Sequence, residues 1–284
     1  MSARLVDPVL GEFALDRSNG FVAVKVDPGW PAPRAVVDDL VNASGTYDGT
    51  QVHGARSVSV QALLLPTVNG PTRRAILARL GAYCAPQRRP VLLYDEEGDG
   101  TYRRIALRGS QLGAPREGKL GRSVQAAWEA PTGLIESAEL HTQAVLAAPQ
   151  RSPGRTYPKT FNWVFPSVNS AGAVGVLNEG TENVAPVYRL WGPCTTPRIT
   201  NVETAARMVF PGLQLLAGQF VEVDVRNSTV RFMGDVGQNY FGRLDVPNST
   251  FTWLAPGSNR INYTPDSYDG TTHADVIWRD AWLA

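Results

Sequence analysis

Between Pro211 and Tyr263 the chain reads as short runs of alternating apolar and polar residues, cut at close intervals by Gly, Pro and Asn. Phe220-Val221-Glu222-Val223-Asp224-Val225 and Thr229-Val230-Arg231-Phe232 alternate with period two, so each puts one row of side chains on a dry face and the next in water. Turn residues at that spacing leave no room for the crossover helices of a parallel sheet. The stretch predicts an antiparallel β-sandwich and not the βα units of most α/β enzymes.

The first half reads as strands with one helix. Gly20 to Val26 and Arg56 to Leu63 alternate with period two. From Pro71 to Leu80 the period changes: Pro71 suits a first helical turn, Ile76, Leu77 and Leu80 fall on one stripe, and Gly81 can end the helix. Pro90 to Tyr94, an acidic turn, and Tyr102 to Arg108 form a hairpin, and Arg122 to Ala130 reads as a further strand. One helix among about half a dozen strands suggests a small barrel or sandwich with the helix plugging one end. Ala147 to Arg155 is rich in Pro and charge and poor in large apolar side chains. A chain of 284 residues is near the upper size for one core. The expected layout is therefore a mainly β domain over 1–140 with its helix near 71–83, a linker over 141–158, and an all-β sandwich over 159–284.

Charge and cysteine narrow the classes. Lys plus Arg less Asp plus Glu is 27 − 26, or +1, so no global field draws the chain to nucleic acid or acidic lipid. Cys84 and Cys194 stand far apart without CxxC spacing, which predicts two buried free thiols and neither a disulfide nor a zinc site. The first residues lack a basic region followed by an apolar core, and no apolar run reaches the roughly 20 residues of a membrane helix. A chain made in a cytoplasm and staying soluble is expected, so the N-x-[ST] triplets at Asn42, Asn227, Asn248 and Asn262 are turn and strand-edge chemistry.

Motifs that would carry catalysis fail on inspection. Gly113 to Leu120 matches G-x-x-x-x-G-K, but Leu120 replaces the Ser or Thr that holds magnesium, and the next segment reads as a strand where a helix is needed. Asp95 to Gly100 lacks the downstream bidentate Glu of a calcium loop and reads as a solvated hairpin turn. Glu222 and Asp224 share a strand face, as paired glycosidase carboxylates must, yet such pairs occur in most β proteins and here read as an exposed face. His53, His141 and His273 have no metal-ligand spacing, and Cys84 has no local His partner. No catalytic, cofactor-binding or metal-binding residues are assigned. Phe251 and Trp253 are expected on one strand face and Trp278 and Trp282 on another; large aromatics dominate sandwich cores, so inter-sheet packing is favoured. Were they exposed instead, Trp253 and Trp278 would be the residues to stack on a sugar.

Taken together, these segments resemble the distal tail protein family of long, non-contractile-tailed bacteriophages. The likeness rests on Gly20-Phe21, on Tyr47 to Thr50 leading into His53 to Val58, on the helix after Pro71, and on the Arg103-Arg104 strand. It continues through Ala185 to Gly192, Pro197 to Asn201, and S-T-F-x-x-L-x-P-G-x-N-x-I from Ser249 to Ile261. Val225 and Asn227 depart from the Thr-Gly-like turn of many relatives, which implies a differently shaped hairpin. The resemblance implies an N-terminal belt domain, a C-terminal galectin-like β-sandwich, and no enzyme activity or cofactor. It also implies a homo-oligomeric ring of six copies at the distal end of the tail. The tail tube would lie above, the hub or tail-associated lysin below, and receptor-binding proteins nearby, with no nucleic acid or membrane partner. A carbohydrate-binding adhesion module and, less so, a hydrolase are the alternatives.

Overall fold

The computed structural model describes residues 2–39, 46–65, 68–113, 116–118, 121–147 and 173–283. Most of the expected linker core, the first strand candidates after it, and Asn42 lie outside the described residues. The described chain is mainly β and divides into two compact units, 1–138 with 282–284, and 139–281.

In the first unit the long strand Thr46–Leu64 pairs antiparallel with Gly121–Ala130, and their inward rows coincide. Val58 stands opposite Trp128, Val60 opposite Ala126, and Ala62 opposite Val124, all buried. Cross-strand apolar pairs of this kind are the unit of sheet stabilisation. Phe21–Asp27 flanks the same sheet, and the hairpin Pro31–Asp39 runs back along Thr46–Leu64. A second sheet has the order Gly11–Ala14, Ser2–Asp7, Val91–Asp95, Arg103–Ala106, Ile135–Ser137, and then the chain's last strand, which brings Trp282 to it. Arg103 stacks over the Trp282 ring at 3.7 Å from its centroid.

The helix Gly70–Tyr83 starts where the Asn69 side chain accepts the Thr72 N–H at 2.9 Å, with Pro71 in the first turn. It runs two residues past Gly81, which could have ended it, to Tyr83. Leu80 and Tyr83, three apart on one face, are both buried, and the two residues after Gly81 are kept helical by that packing. The Tyr83 ring stacks on Phe13, with centroids 5.9 Å apart, and its hydroxyl donates to the Gly11 carbonyl. After Gly113, the strand Arg116–Gly118 pairs antiparallel with Gly121–Ala130, so a strand follows the phosphate-loop look-alike.

Arg56 has the same strand parity as Val58, Val60, Ala62 and Leu64, and it points inward with them, 1% exposed. Its Nε donates to the Gly133 carbonyl at 2.9 Å and its Nη2 to the Leu283 carbonyl. Burial lowers the guanidinium's pKa from its ordinary value. Gly133 is obligatory here: its φ is +66°, and a Cβ would lie 2.4 Å from the Gly54 carbonyl oxygen.

The second unit is a sandwich. One sheet has the order His141–Leu146, His273–Trp278, Val187–Trp191, Phe220–Asp224, Thr229–Phe232, and the other Ala173–Asn178, Gly257–Tyr263, Arg198–Asn201, Arg207–Val209. A small third sheet joins Gln214–Leu215, Cys194–Thr195 and Ser267–Tyr268. His141–Leu146 thus pairs along its whole length with His273–Trp278, where the sequence suggested the start of a linker. Tyr188 stands opposite both Val223 and Val276, and Leu190 opposite both Val221 and Ala274, all buried. Both cysteines are buried free thiols, as expected.

Two predictions follow from these interiors. Arg56→Lys keeps a buried charge but cannot serve both the Gly133 and Leu283 carbonyls, so urea unfolding should register a loss of roughly 1–3 kcal/mol. An unchanged midpoint would show that the guanidinium does not hold this segment. Burial pushes the Tyr94 phenol up to about 12, and raises those of Tyr188 and Tyr263 further. The fold favours the neutral phenol, so this stability is complete below the ordinary phenol pKa of about 10 and is lost as pH rises above it. A spectrophotometric titration should leave these three of the nine tyrosines un-ionised until the chain unfolds; complete ionisation near pH 10 with the fold intact would contradict it.

Candidate functional site

Segments between strands build one concave site on the second unit. After Phe220–Asp224 the chain turns over Val225, Arg226 and Asn227. The Asp224 carboxylate accepts both the backbone N–H and the side-chain N–H of Asn227, at 3.1 and 2.6 Å, and Ser228 takes a positive φ of 51°. This is the turn whose residues depart from the Thr-Gly pattern, and Asp224 supplies what holds it. Short 3₁₀ turns then place Phe241 and Val246, and the Asn239 side chain accepts the Phe241 N–H. Segment 245–250 is tied to the edge strand Arg207–Val209: Asp245 N–H donates to the Val209 carbonyl, Thr250 N–H to the Arg207 carbonyl, and Ser249 Oγ accepts the Val209 N–H. Arg226, Ser228, Phe241, Ser249, Phe251 and Trp253 then line a cleft of about 440 Å³.

Trp253 is not in a strand and does not fill the core; it is 44% exposed at this cleft. Its backbone is nevertheless pinned on both sides. The buried Tyr188 hydroxyl donates to the Thr252 carbonyl, Asn201 Nδ2 to the Trp253 carbonyl, and Leu254 exchanges both backbone hydrogen bonds with Val184. Asn259, fully buried, accepts the Ala255 N–H and donates back to the carbonyls of Ala255 and Gly257, while Asn201 Nδ2 also donates to its Oδ1. Gly257 has φ +85°, open to glycine and costly for other residues. The L-x-P-G-x-N-x-I string is thus a physical device: Leu254 and Ile261 are buried anchors, Gly257 makes the turn, and Asn259 satisfies it. Sequence reading saw the string and missed the polar network, since nothing local marks an Asn as buried.

Trp278 is only 8% exposed; its indole N–H donates to the Leu177 carbonyl and its ring stacks on His141. It is therefore a packing residue, the reading favoured for these aromatics, and the alternative of a glycan contact at Trp278 falls away because the ring offers no face to a sugar. The carboxylates do local work. Glu222 accepts from Arg189 Nε at 3.0 Å and Asp224 holds its turn. Asp95 accepts the N–H groups of Gly98 and Gly100, tying the acidic hairpin turn. The histidines are dispersed: His53 is exposed, His141 Nε2 lies 3.1 Å from Asp280, and His273 stacks on Trp191, whose indole N–H donates to Asp275. No cluster of His, Cys, Asp and Glu suited to a metal occurs among the described residues, and none of the described helices is long and apolar enough to cross a membrane.

Comparison with known proteins agrees with this architecture. Residues 179–282 match the family described as siphovirus-type tail component, C-terminal domain. The whole chain is similar to the Dit protein (gp 19.1) of phage SPP1, described as a paradigm of the hub adsorption apparatus in phages that infect Gram-positive bacteria. The TM-score is 0.62 at 12% identity, over 98% of each chain. Two structures of the phage P2 baseplate in its activated conformation, with Ca and with Sr, align at TM-scores of 0.44 and 0.43. Each is 11% identical, over 98% of this chain and 97% of theirs. No curated protein sequence matches. Residues 179–282 are thus similar to the C-terminal domain of siphovirus-type tail components, and the chain as a whole has the fold of a Dit protein.

The polar network carries its own prediction. Asn259→Ala leaves the Ala255 N–H and the Ala255 and Gly257 carbonyls unpaired in a buried place, at a cost of about 2 kcal/mol or more. Thermal unfolding of the second unit should fall accordingly, with faster amide exchange at Ala255. Unchanged exchange there would show that the side chain does not hold the passage.

Proposed function

We propose that this chain is the subunit of a closed ring of six copies at the distal end of a long non-contractile tail. The ring joins the tail tube to the hub or lysin and to the receptor-binding apparatus. The observation that carries the reading is the agreement in fold with SPP1 Dit along nearly the full length of both chains, a protein described as part of a hub adsorption apparatus. The chemistry of the chain supports a role in assembly. Its net charge is near zero, and the carboxylates of Glu222, Asp224 and Asp95 are engaged in ion pairs and turns and not gathered in a cleft. We read the protein as a scaffold and not an enzyme. A ring needs a heterologous contact that closes after a fixed number of subunits. The hairpin Pro31–Asp39 with Thr46–Leu64 is suited to it. Gly121–Ala130 pairs with the long strand only from Arg56 onward, so the part before Arg56 has the Pro31–Asp39 strand as its partner. Two-stranded ribbons are marginal alone and gain from a further partner.

Native mass spectrometry and negative-stain microscopy of the purified full chain, alone and mixed with the hub protein of the same phage, test the reading. Hexameric rings in either sample are expected. Monomers in both, at high concentration, would count against it.

A further inference from the structure

We infer that the Trp253 cleft is a saccharide-binding site that takes a neutral or acidic pyranose of a cell-surface glycan. The site is the juxtaposition, in one cleft, of a half-exposed indole with Arg226, Ser228 and Ser249 on a backbone tied to its neighbours. Leaving an indole 44% exposed forgoes burial worth about 25 cal/mol for each Å² of apolar area. The chain does not recover it, because Thr252, Trp253 and Leu254 are each fixed through backbone hydrogen bonds to Tyr188, Asn201 and Val184. The backbone beneath the ring is thus fixed, and a ligand that stacks on the indole does not first have to order that segment.

The rest of the lining says what kind of ligand fits. An indole face is electron-rich, and one face of a pyranose presents a patch of C–H groups that complements it. Ser228, Ser249 and Arg226 line the same cleft, and Phe251 and Phe241 line it too, their ring centroids 6.5 Å apart. Ser249 Oγ accepts the Val209 N–H, which orients the oxygen and leaves its proton for a sugar oxygen. Six of the ten lining residues are apolar, and Arg226, Ser228, Ser249 and Thr250 set polar groups among them, the mixture of apolar face and polar side chains common to small-ligand sites. Arginine suits sugar hydroxyls and a uronate carboxylate alike. A cleft of about 440 Å³ lies within the usual range for small-ligand sites. The inference stands on the second unit's own geometry and does not rest on ring assembly.

Saturation-transfer NMR on the full chain with glucose, galactose, mannose, N-acetylglucosamine, glucuronate and the wall polysaccharide of a susceptible host tests it. Transfer to the ring C–H protons of at least one of them is expected. Trp253→Ala should weaken that binding by roughly tenfold or more, while Trp253→Phe, which keeps a flat ring, should retain part of it. Trp253→Phe should leave the melting temperature and the assembly state nearly unchanged, while Trp253→Ala, which loses the covered half of the ring, should lower the melting temperature slightly and keep the assembly state. The proposal is overturned if no member of the panel binds. It is also overturned if Trp253→Ala binds like the parent, or if that variant loses oligomers or hub binding while sugar binding is unaffected; the last result would make the cleft a protein interface.

Discussion

A sheet with one dry face cannot slip by a single residue, and both units of this protein depend on that constraint. A one-position shift between Thr46–Leu64 and Gly121–Ala130 would carry Val58, Val60, Trp128 and Ala126 out of the core together. In the second unit the same holds for Val187–Trp191, whose Tyr188 and Leu190 meet buried partners on both neighbouring strands. Register is therefore specified many times over in each sheet. That redundancy lets the connections carry unusual features: a buried arginine, a pinned tryptophan, and turns held by Asp224 and Asp95.

Polar groups inside the two units do different jobs. Arg56 is an inward-facing charge that bonds to backbone carbonyls and not to an acid, and one of those carbonyls belongs to the last residues of the chain. The first unit is thus completed by residues more than 140 positions downstream of its main segment. Asn201 and Asn259 do a local job, converting a passage without regular structure into one with defined geometry. Scaffold proteins that bind through loops need such fixed passages, because a loop that must first be ordered weakens every contact it makes.

Much of the architecture was legible in local pattern. The period-two runs at Arg56 to Leu63, Arg122 to Ala130 and Phe220 to Asp224 are strands, the run after Pro71 is a helix, and the P-V-L-L-Y segment is one arm of a hairpin. The likeness to a tail component, which the family match carries over residues 179–282, was legible in short strings such as L-x-P-G-x-N-x-I, whose residues are tied to the geometry of one passage. The errors came where distant residues decide. His141–Leu146 lies among polar and small residues that read as linker, and becomes a strand because His273–Trp278 offers it an edge. Arg56 might have been found from its parity with Val58, but a charge at a strand end ordinarily faces water. Trp253 was expected in the core on composition, and Trp278 was grouped with it; the structure buries only Trp278, since the choice depends on how the chain between Ser249 and Gly257 is tied down.

The claim at the centre is that the chain is an architectural ring subunit of the tail tip. A cryo-electron microscopy map of the tail end of the virion is its most direct test. The prediction is density for six copies of this chain closing a ring between the last tail-tube layer and the hub. Finding the chain missing from the virion, or present only in peripheral fibres with no ring at that level, would contradict it.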